Sequence, residues 1–273
     1  MSRTALIDAD TIIYAAGRKV EKIVEWGDDI ISWYAGVPEA EAEFDSLVSS
    51  IVQGMCADRT VMALSDYSAP NWRVGVLPTY KMERAKSASN RRPLAWAALR
   101  KHCEATYKCF TRPTLEGDDV LGILLTHPSL IVGEKIVVSI DKDMNTLPGL
   151  HCNHTRDEND FGWGVRVVSQ ASADKFHLMQ TLMGDATDGY KGCPGVGKVG
   201  AEKVLSPFYS HMTFGDSEFD VAGAWVAVVA QYVKAGLTEE DALQQARVAR
   251  ICRATDYDFT TKAVKLWEPP KIS

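Results

Sequence analysis

No apolar run in this 273-residue chain approaches the roughly 20 residues that a membrane-spanning helix needs. The first residues, Met-Ser-Arg-Thr, lead straight into an apolar strand with no signal-peptide pattern, so a cytoplasmic protein with no membrane partner is expected. None of the six cysteines (Cys56, Cys103, Cys109, Cys152, Cys193 and Cys252) forms a Cys-x-x-Cys pair, which argues against a disulfide framework and against a zinc ribbon. Internal repeats, low-complexity tracts and long linkers are also lacking. So is an excess of basic charge: 30 Lys and Arg face 36 Asp and Glu, a net charge of −6 that argues at first against a nucleic-acid partner. What remains is 46% hydrophobic and 24% charged, ordinary for one large domain or two modest ones.

Acidic residues are placed unevenly along this background. Leu115-Glu116-Gly117-Asp118-Asp119-Val120 crowds three carboxylates beside an apolar run, Val120 to Leu125, that reads as the buried stripe of a helix starting near Gly117. Like charges at that density need compensation, and the positive end of the helix dipole supplies only part of it. An acid-rich helix start is common in itself. Three strand-like runs nevertheless end the same way. Thr4 to Ile7 delivers Asp8-Ala9-Asp10, Thr60 to Leu64 emerges at Asp66, and Lys135 to Ile140 runs into Asp141-Lys142-Asp143. Strands that carry ligands at their C-terminal ends match an open α/β sheet. Hard oxygen donors without imidazole or thiolate favour magnesium or manganese over zinc. With these acids and Asp185 and Asp188 set aside as candidate ligands, 26 acidic residues remain against 30 basic ones, so the acidic total does not exclude DNA or RNA.

The rest of the chain supplies partners for such a site. Lys22 to Trp26 and Ile30 to Tyr34 flank Gly27-Asp28-Asp29 as a hairpin, and Pro38 to Met55 reads as an amphipathic helix. Tyr67 to Asn90 is irregular and polar, with Tyr80, Lys81, Arg84 and Lys86, and Arg91-Arg92-Pro93 then opens a helix through Tyr107. His151 and His154 are spaced to share a face, but no second ligand pair with zinc spacing follows. Phe161 to Val168 reads as a hairpin with Gly162 and Gly164 in its turn, and Ser172 to Met183 as a helix that stops at Gly184.

Gly192-Cys193-Pro194-Gly195-Val196-Gly197-Lys198 then begins like a phosphate-binding P-loop, but Val199 lacks the metal-holding hydroxyl and no strand precedes it. The better account is two helices, the second from about Val199 to Leu205, joined by a turn whose backbone N–H groups meet a phosphate. Gly195 and Gly197 permit close approach, with Lys198 and Lys203 beside them. A plain helix-turn-helix packing motif is the structural alternative. Helices from Phe219 to Val233 and from Thr238 to Ala254 close the chain.

In this order, Leu6-Ile7-Asp8-Ala9-Asp10, Leu64-Ser65-Asp66, Tyr80-Lys81-x-x-Arg84, Glu116-Gly117-Asp118-Asp119, Asp141-Lys142-Asp143 and Gly184-Asp185-x-x-Asp188 with the glycine turn resemble the 5′-nuclease, or flap endonuclease, superfamily, above all its bacteriophage 5′-3′ exonucleases. The resemblance implies an α/β fold: a mostly parallel central sheet flanked by helices, a PIN-like 5′-nuclease core over residues 1–170, with a short arch region at about 67–107. A helical DNA-binding lobe would follow over 171–273, with a helix-three-turn-helix at about 172–205. It implies that Asp8, Asp66, Glu116, Asp118 and Asp119 line one magnesium site and Asp141, Asp143, Asp185 and Asp188 a second, with Asp10 a less certain ligand and manganese able to substitute. Lys81 and Arg84 would approach the scissile phosphate. Tyr80, Lys86, Arg91, Arg92, Gly192, Gly195, Gly197, Lys198 and Lys203 would contact DNA, with a potassium ion at the helix-three-turn-helix. The segment between Lys81 and Glu116 is short for a full arch, and the hairpin near Trp26 is an addition.

The expected activity is in-line phosphodiester hydrolysis with two magnesium ions roughly 4 Å apart, with Asp118 and Asp141 central and Lys81 and Arg84 offsetting phosphate charge. The substrate would be DNA with a 5′ end, duplex or flap, with RNA in RNA–DNA hybrids included, in phage DNA replication or recombination alongside replication proteins in the host cytoplasm. Two other readings compete: a PIN-type single-strand ribonuclease, which would not need the glycine turn, and a non-catalytic DNA-binding module whose acids only cap helices.

Overall fold

The computed structural model describes residues 2–28, 30–83, 91–154, 164–211 and 217–271. The first strand, β1 (Arg3–Asp8), runs into α1 (Ala9–Val20), with Asp8 capping the helix through Thr11 N–H. A detached antiparallel hairpin follows, β2 (Lys22–Gly27) with β3 (Ile30–Tyr34), and then α2 (Val37–Gly54) and β4 (Arg59–Ala63). The short α3 (Trp72–Val76) and α4 (Trp96–Thr106) lead to β5 (Cys109–Phe110), α5 (Gly117–Thr126) and β6 (Glu134–Val138). Next come β7 (Gly149–Cys152) and β8 (Arg166–Val168), followed by α6 (Gln170–Met183) and α7 (Lys198–Leu205). A small ribbon, β9 (Tyr209–His211) with β10 (Ser217–Phe219), precedes α8 (Val221–Lys234) and α9 (Glu239–Ala249), and β11 (Tyr257–Asp258) pairs with β12 (Ala263–Val264) near the end.

The main sheet has the order β5-β4-β1-β6-β7-β8. Its pairings are parallel except for β8 on β7, so the mostly parallel expectation holds with one antiparallel edge. Period-two alternation splits the sheet cleanly. Ala5, Ile7, Met62, Ile136 and Val138 pack with α1, α2 and α4, whereas Leu6, Val61, Ala63 and Val137 pack with α5 on the other face. A third core joins α6 to α9 around Leu178, Leu182, Trp225 and Tyr232, the helical C-terminal region. The chain does not stay there: Ile251, Cys252 and Tyr257 return to the α5 face.

Several boundaries differ from the sequence reading for local reasons. The strand assigned to Lys135–Ile140 ends at Val138 because Asp141 caps a 3₁₀ turn, Lys142–Thr146, by accepting from Asp143 N–H. The hairpin expected over Phe161–Val168 has only its second strand among the described residues, and that strand pairs back to Gly149–Cys152; Phe161 and Gly162 lie outside the described residues. The final helix stops at Ala249, five residues early, and the next residues extend toward the sheet. No helix among the described residues is long and apolar enough to cross a membrane.

Candidate active site

Chain order reverses at β1, since β4 lies on one side of it and β6 on the other. In an open α/β sheet this is where a crevice forms beyond the C-terminal strand ends. Asp8 ends β1, Ser65 and Asp66 follow β4, and Asp141 follows β6. A cleft of about 700 Å³ opens there, lined by Asp8, Asp10, Glu116, Asp118 and Asp141 together with Tyr14, Arg18, Tyr67, Lys81 and Arg92.

The carboxylates in this cleft repel one another. Burial and the neighbouring Asp10 push Asp8 up to about 6, against the pull of Thr11 and Ser139. Burial, then Asp8 and Asp141, push Asp118 well above the carboxylate range, and burial raises Asp10 as well. Neither Asp8 nor Asp118 has an ion pair among the described residues. Asp10 accepts from Ser65 N–H at 2.8 Å, but its Oδ1 is buried without a hydrogen bond and has only Arg100 at 3.8 Å.

Glu116 sits on the Lys81 side of the cleft. Its carboxylate accepts from Lys81 Nζ at 2.7 Å and from the Tyr80 hydroxyl at 2.9 Å. Lys81 Nζ is also 3.6 Å from Asp188. Its burial disfavours the charged form, but Glu116 and Asp188 outweigh that and hold the ammonium protonated. Lys81 N–H donates to Asp188 C=O at 2.8 Å, which ties the glycine-turn segment to the cleft.

A second acidic group adjoins the first. Asp143 is pushed up to about 6 by burial and by Asp141, and Gln180 donates to it at 2.6 Å. Asp185 accepts from Lys142 Nζ at 2.6 Å and from Thr187 N–H at 2.8 Å. The 184–192 turn is closed by two glycines in the left-handed region, Gly184 at φ 69° and Gly192 at φ 66°. A Cβ on Gly192 would lie 2.3 Å from Gly184 N, so the two strands of the turn touch backbone to backbone.

Four of the expected site residues lie away from the open face of the cleft. Asp119 does not line the cleft: it is fully buried, with Arg73 at 2.8 Å on each oxygen and further bonds from Trp72 Nε1 and Cys252 N–H, both at 3.0 Å. Asp66 is spent on a local turn, accepting from Ser68 and from Thr114 N–H, and these bonds hold its carboxyl below the usual range. Tyr80 and Gly192 are buried and shape the site rather than presenting a surface for DNA. Arg84 and Lys86 lie outside the described residues. Arg91 pairs with Glu21 at 2.8 Å and lies over Trp33, while Arg92 lies over Trp96 and Tyr67 at the cleft wall. Gly195, Gly197, Lys198 and Lys203 are exposed at the start and side of α7, with open space where a Cβ on either glycine would stand.

The sequence reading gave no role to Tyr14, Tyr67, Arg73 or Lys142. Only Tyr14 carried a signal, one helical turn after Asp10 on the same face. His151, on β7, is a buried neutral ring: burial pushes it down to about 4, and its Nε2 meets Leu147 C=O at 2.9 Å. Among the described residues, no group of three or more acidic, His or Cys side chains is placed so that it could hold a metal ion as it stands. The all-oxygen donors of the cleft, their mutual repulsion and the unpartnered Asp10 oxygen do fit a hard divalent cation.

No family model matches the chain. It is 29% identical over 294 residues to an exonuclease of Escherichia phage T7, across 97% of this chain and 93% of that protein. It is 28% identical over 295 residues to an exodeoxyribonuclease of Enterobacteria phage T3, across 97% and 92%. Its fold is similar to that of the T5 5′-exonuclease with bound zinc ions, with a TM-score of 0.64 and 14% identity over 90% of this chain and 89% of that one. The bacteriophage T5 flap endonuclease in complex with DNA and metal ions is also similar, with a TM-score of 0.58 and 15% identity over 89% and 87%.

Proposed function

We infer that this chain belongs to the 5′-nuclease, or flap endonuclease-like, superfamily and is a metal-dependent phosphodiesterase acting on DNA with a 5′ end. The observation that carries the reading is the convergence of Asp8, Asp10, Glu116, Asp118 and Asp141 in one cleft beside Lys81. These residues would hold one divalent ion, magnesium or manganese. Asp141, Asp143, Asp185 and Asp188 would hold a second. Ions held there would supply the Lewis-acid chemistry of phosphodiester hydrolysis.

The chain's own groups do the rest. Lys81 keeps its proton on Nζ and presents a fixed positive charge at the cleft, where phosphate charge develops. Tyr80, hydrogen-bonded to Glu116 and to Asp188 at 3.3 Å, holds the two acidic groups in register. The exposed start of α7, with Gly195, Gly197, Lys198 and Lys203, would grip duplex phosphates without reading sequence, so binding should weaken steeply with salt. A potassium ion at that turn, RNA–DNA hybrids as substrates, and a setting in phage replication or recombination belong to the same proposal.

The capping rival has partial support, because Asp8 and Asp141 do cap helical turns. Asp118 caps nothing, and it discriminates. Asp118→Ala and Asp141→Ala should each abolish magnesium-dependent digestion of 5′-labelled duplex and flap substrates while DNA binding persists. Wild-type cleavage by both variants would overturn the reading. Mononucleotide products would indicate end processing, longer fragments would indicate structure-specific incision, and cleavage of single-stranded RNA alone would favour the ribonuclease.

A further inference from the structure

The two acidic groups differ in how their charge is met before any ion binds. Asp8 and Asp118 have no ion pair among the described residues. In that first group the ion pairs fall on Glu116, with Lys81, and on Asp10, with Arg100; in the second, Lys142, flanked in sequence by Asp141 and Asp143, puts Nζ 2.6 Å from Asp185 Oδ2 and 3.7 Å from Asp143 Oδ1. The two carboxylates are largely buried, their side chains 8% and 17% exposed, whereas that of Lys142 is 64% exposed. The ammonium is thus anchored at its tip on a stem that lies mostly in solvent. Its departure would cost the pairs with Asp185 and Asp143 and little burial, since most of the side chain is already in solvent. Asp185 would keep its bonds from Thr187 N–H and Asp188 N–H through Oδ1, so the carboxylate would stay oriented after the lysine left.

We propose that Lys142 is a built-in counter-ion that occupies the second metal position and must swing out for that position to load. This rests on the metal-dependent reading above. A divalent ion binds carboxylate oxygen at about 2.0–2.6 Å. An ion on Asp185 Oδ2 and an ammonium on the same atom would bring like charges within about 5 Å, a repulsion that one of them must relieve by leaving. At the first position Asp8 and Asp118 offer oxygens with no ion pair to break, while Lys81, whose side chain is 23% exposed, stays on Glu116. The two positions therefore load unequally, and Lys142 sets the ion concentration at which the second fills.

Manganese binding to the full chain, followed by calorimetry and by electron paramagnetic resonance of free Mn²⁺, reads this without activity. Wild type should bind two ions with clearly different affinities. Lys142→Met should tighten the weaker one by about tenfold or more and leave the tighter one unchanged, and Lys142→Arg should keep the gap. Equal affinities in wild type, or a weaker site that Lys142→Met does not tighten, would overturn the inference. So would equal tightening of both sites, which would mark a long-range charge effect. Failure of wild type to bind manganese at all would instead overturn the metal-dependent reading itself.

Discussion

Asp119→Ala separates a structural acid from a metal ligand more sharply than any other single change. The Asp119 side chain is fully buried and that of Arg73 is 3% exposed. The substitution removes both 2.8 Å bonds to the guanidinium and leaves Trp72 Nε1 and Cys252 N–H without their acceptor. Arg73 would keep Val248 C=O at 2.9 Å, Arg250 C=O at 2.7 Å and a longer contact to Glu116, so its charge would be solvated in part but not balanced. Breaking a buried pair by deleting one partner costs about 3–5 kcal/mol. At about 2–4 °C per kcal/mol for a chain of this size, melting should fall by roughly 6–20 °C. The assay is thermal unfolding followed by circular dichroism in chelator, where no metal contribution enters. Arg73→Met combined with Asp119→Ala should recover much of the loss, because no buried charge then remains. Melting of Asp119→Ala within about 2 °C of wild type in chelator, with manganese stoichiometry reduced, would refute the structural role and restore Asp119 to the ligands.

Two further outcomes follow from the site's electrostatics and backbone. Asp8 and Asp143 are both raised to about 6 in the folded chain, so the folded state binds their protons more tightly than the unfolded state does. That contribution to stability is present at acid pH and is lost as pH rises through about 6. Chelated protein should therefore melt lower at about pH 7.5 than at about pH 5.5, and magnesium should raise melting at the higher pH much more than at the lower. Melting that rises with pH in chelator, or a magnesium shift equal at both values, would count against the repulsive cleft. Gly192→Ala places a Cβ 2.3 Å from Gly184 N at a left-handed φ. It should cost more than about 2 kcal/mol in urea unfolding, and a cost below about 0.5 kcal/mol would refute the close approach of the turn.

The layers of the fold were legible because they rest on periodicity. The apolar runs in Arg3–Asp8 and Glu134–Val138 are buried on both faces of the sheet, and the helical stripe of Gly117–Thr126 is buried as its pattern indicated. The tail was not legible: Ile251 and Cys252 continue the apolar spacing of the preceding helix, yet they pack on α5, and only a tertiary contact distinguishes the two outcomes. The edge strand at Arg166–Val168 was given the wrong partner because Gly162 and Gly164 read as a turn within Phe161–Val168, whereas the strand pairs with Gly149–Cys152 across a 13-residue connection.

The same distinction governs the site. Motif order grouped ten acids as one population, and the structure sorts them by direction. Asp118 and Asp119 are neighbours on one helix and so project roughly 100° apart. That rotation carries the first into the cleft and the second through the core to Arg73. Asp66 stands three residues beyond the end of β4, where its carboxylate meets Ser68 N–H before it can reach the cleft, while Asp10, on the first turn of α1, is aimed into it. Carboxylates that carry structure are held below their usual pKa by donors that fold around them, as Asp66 and Asp119 are. Those that line the cleft are left raised by burial and by one another, as Asp8, Asp10 and Asp118 are. Within the first group, an acid's place on this scale, more than its place in a motif, separates the carboxylates that face the cleft from those spent on the fold; Asp185, held low against its burial by Lys142 and two backbone donors, belongs to the second group and stands apart from it.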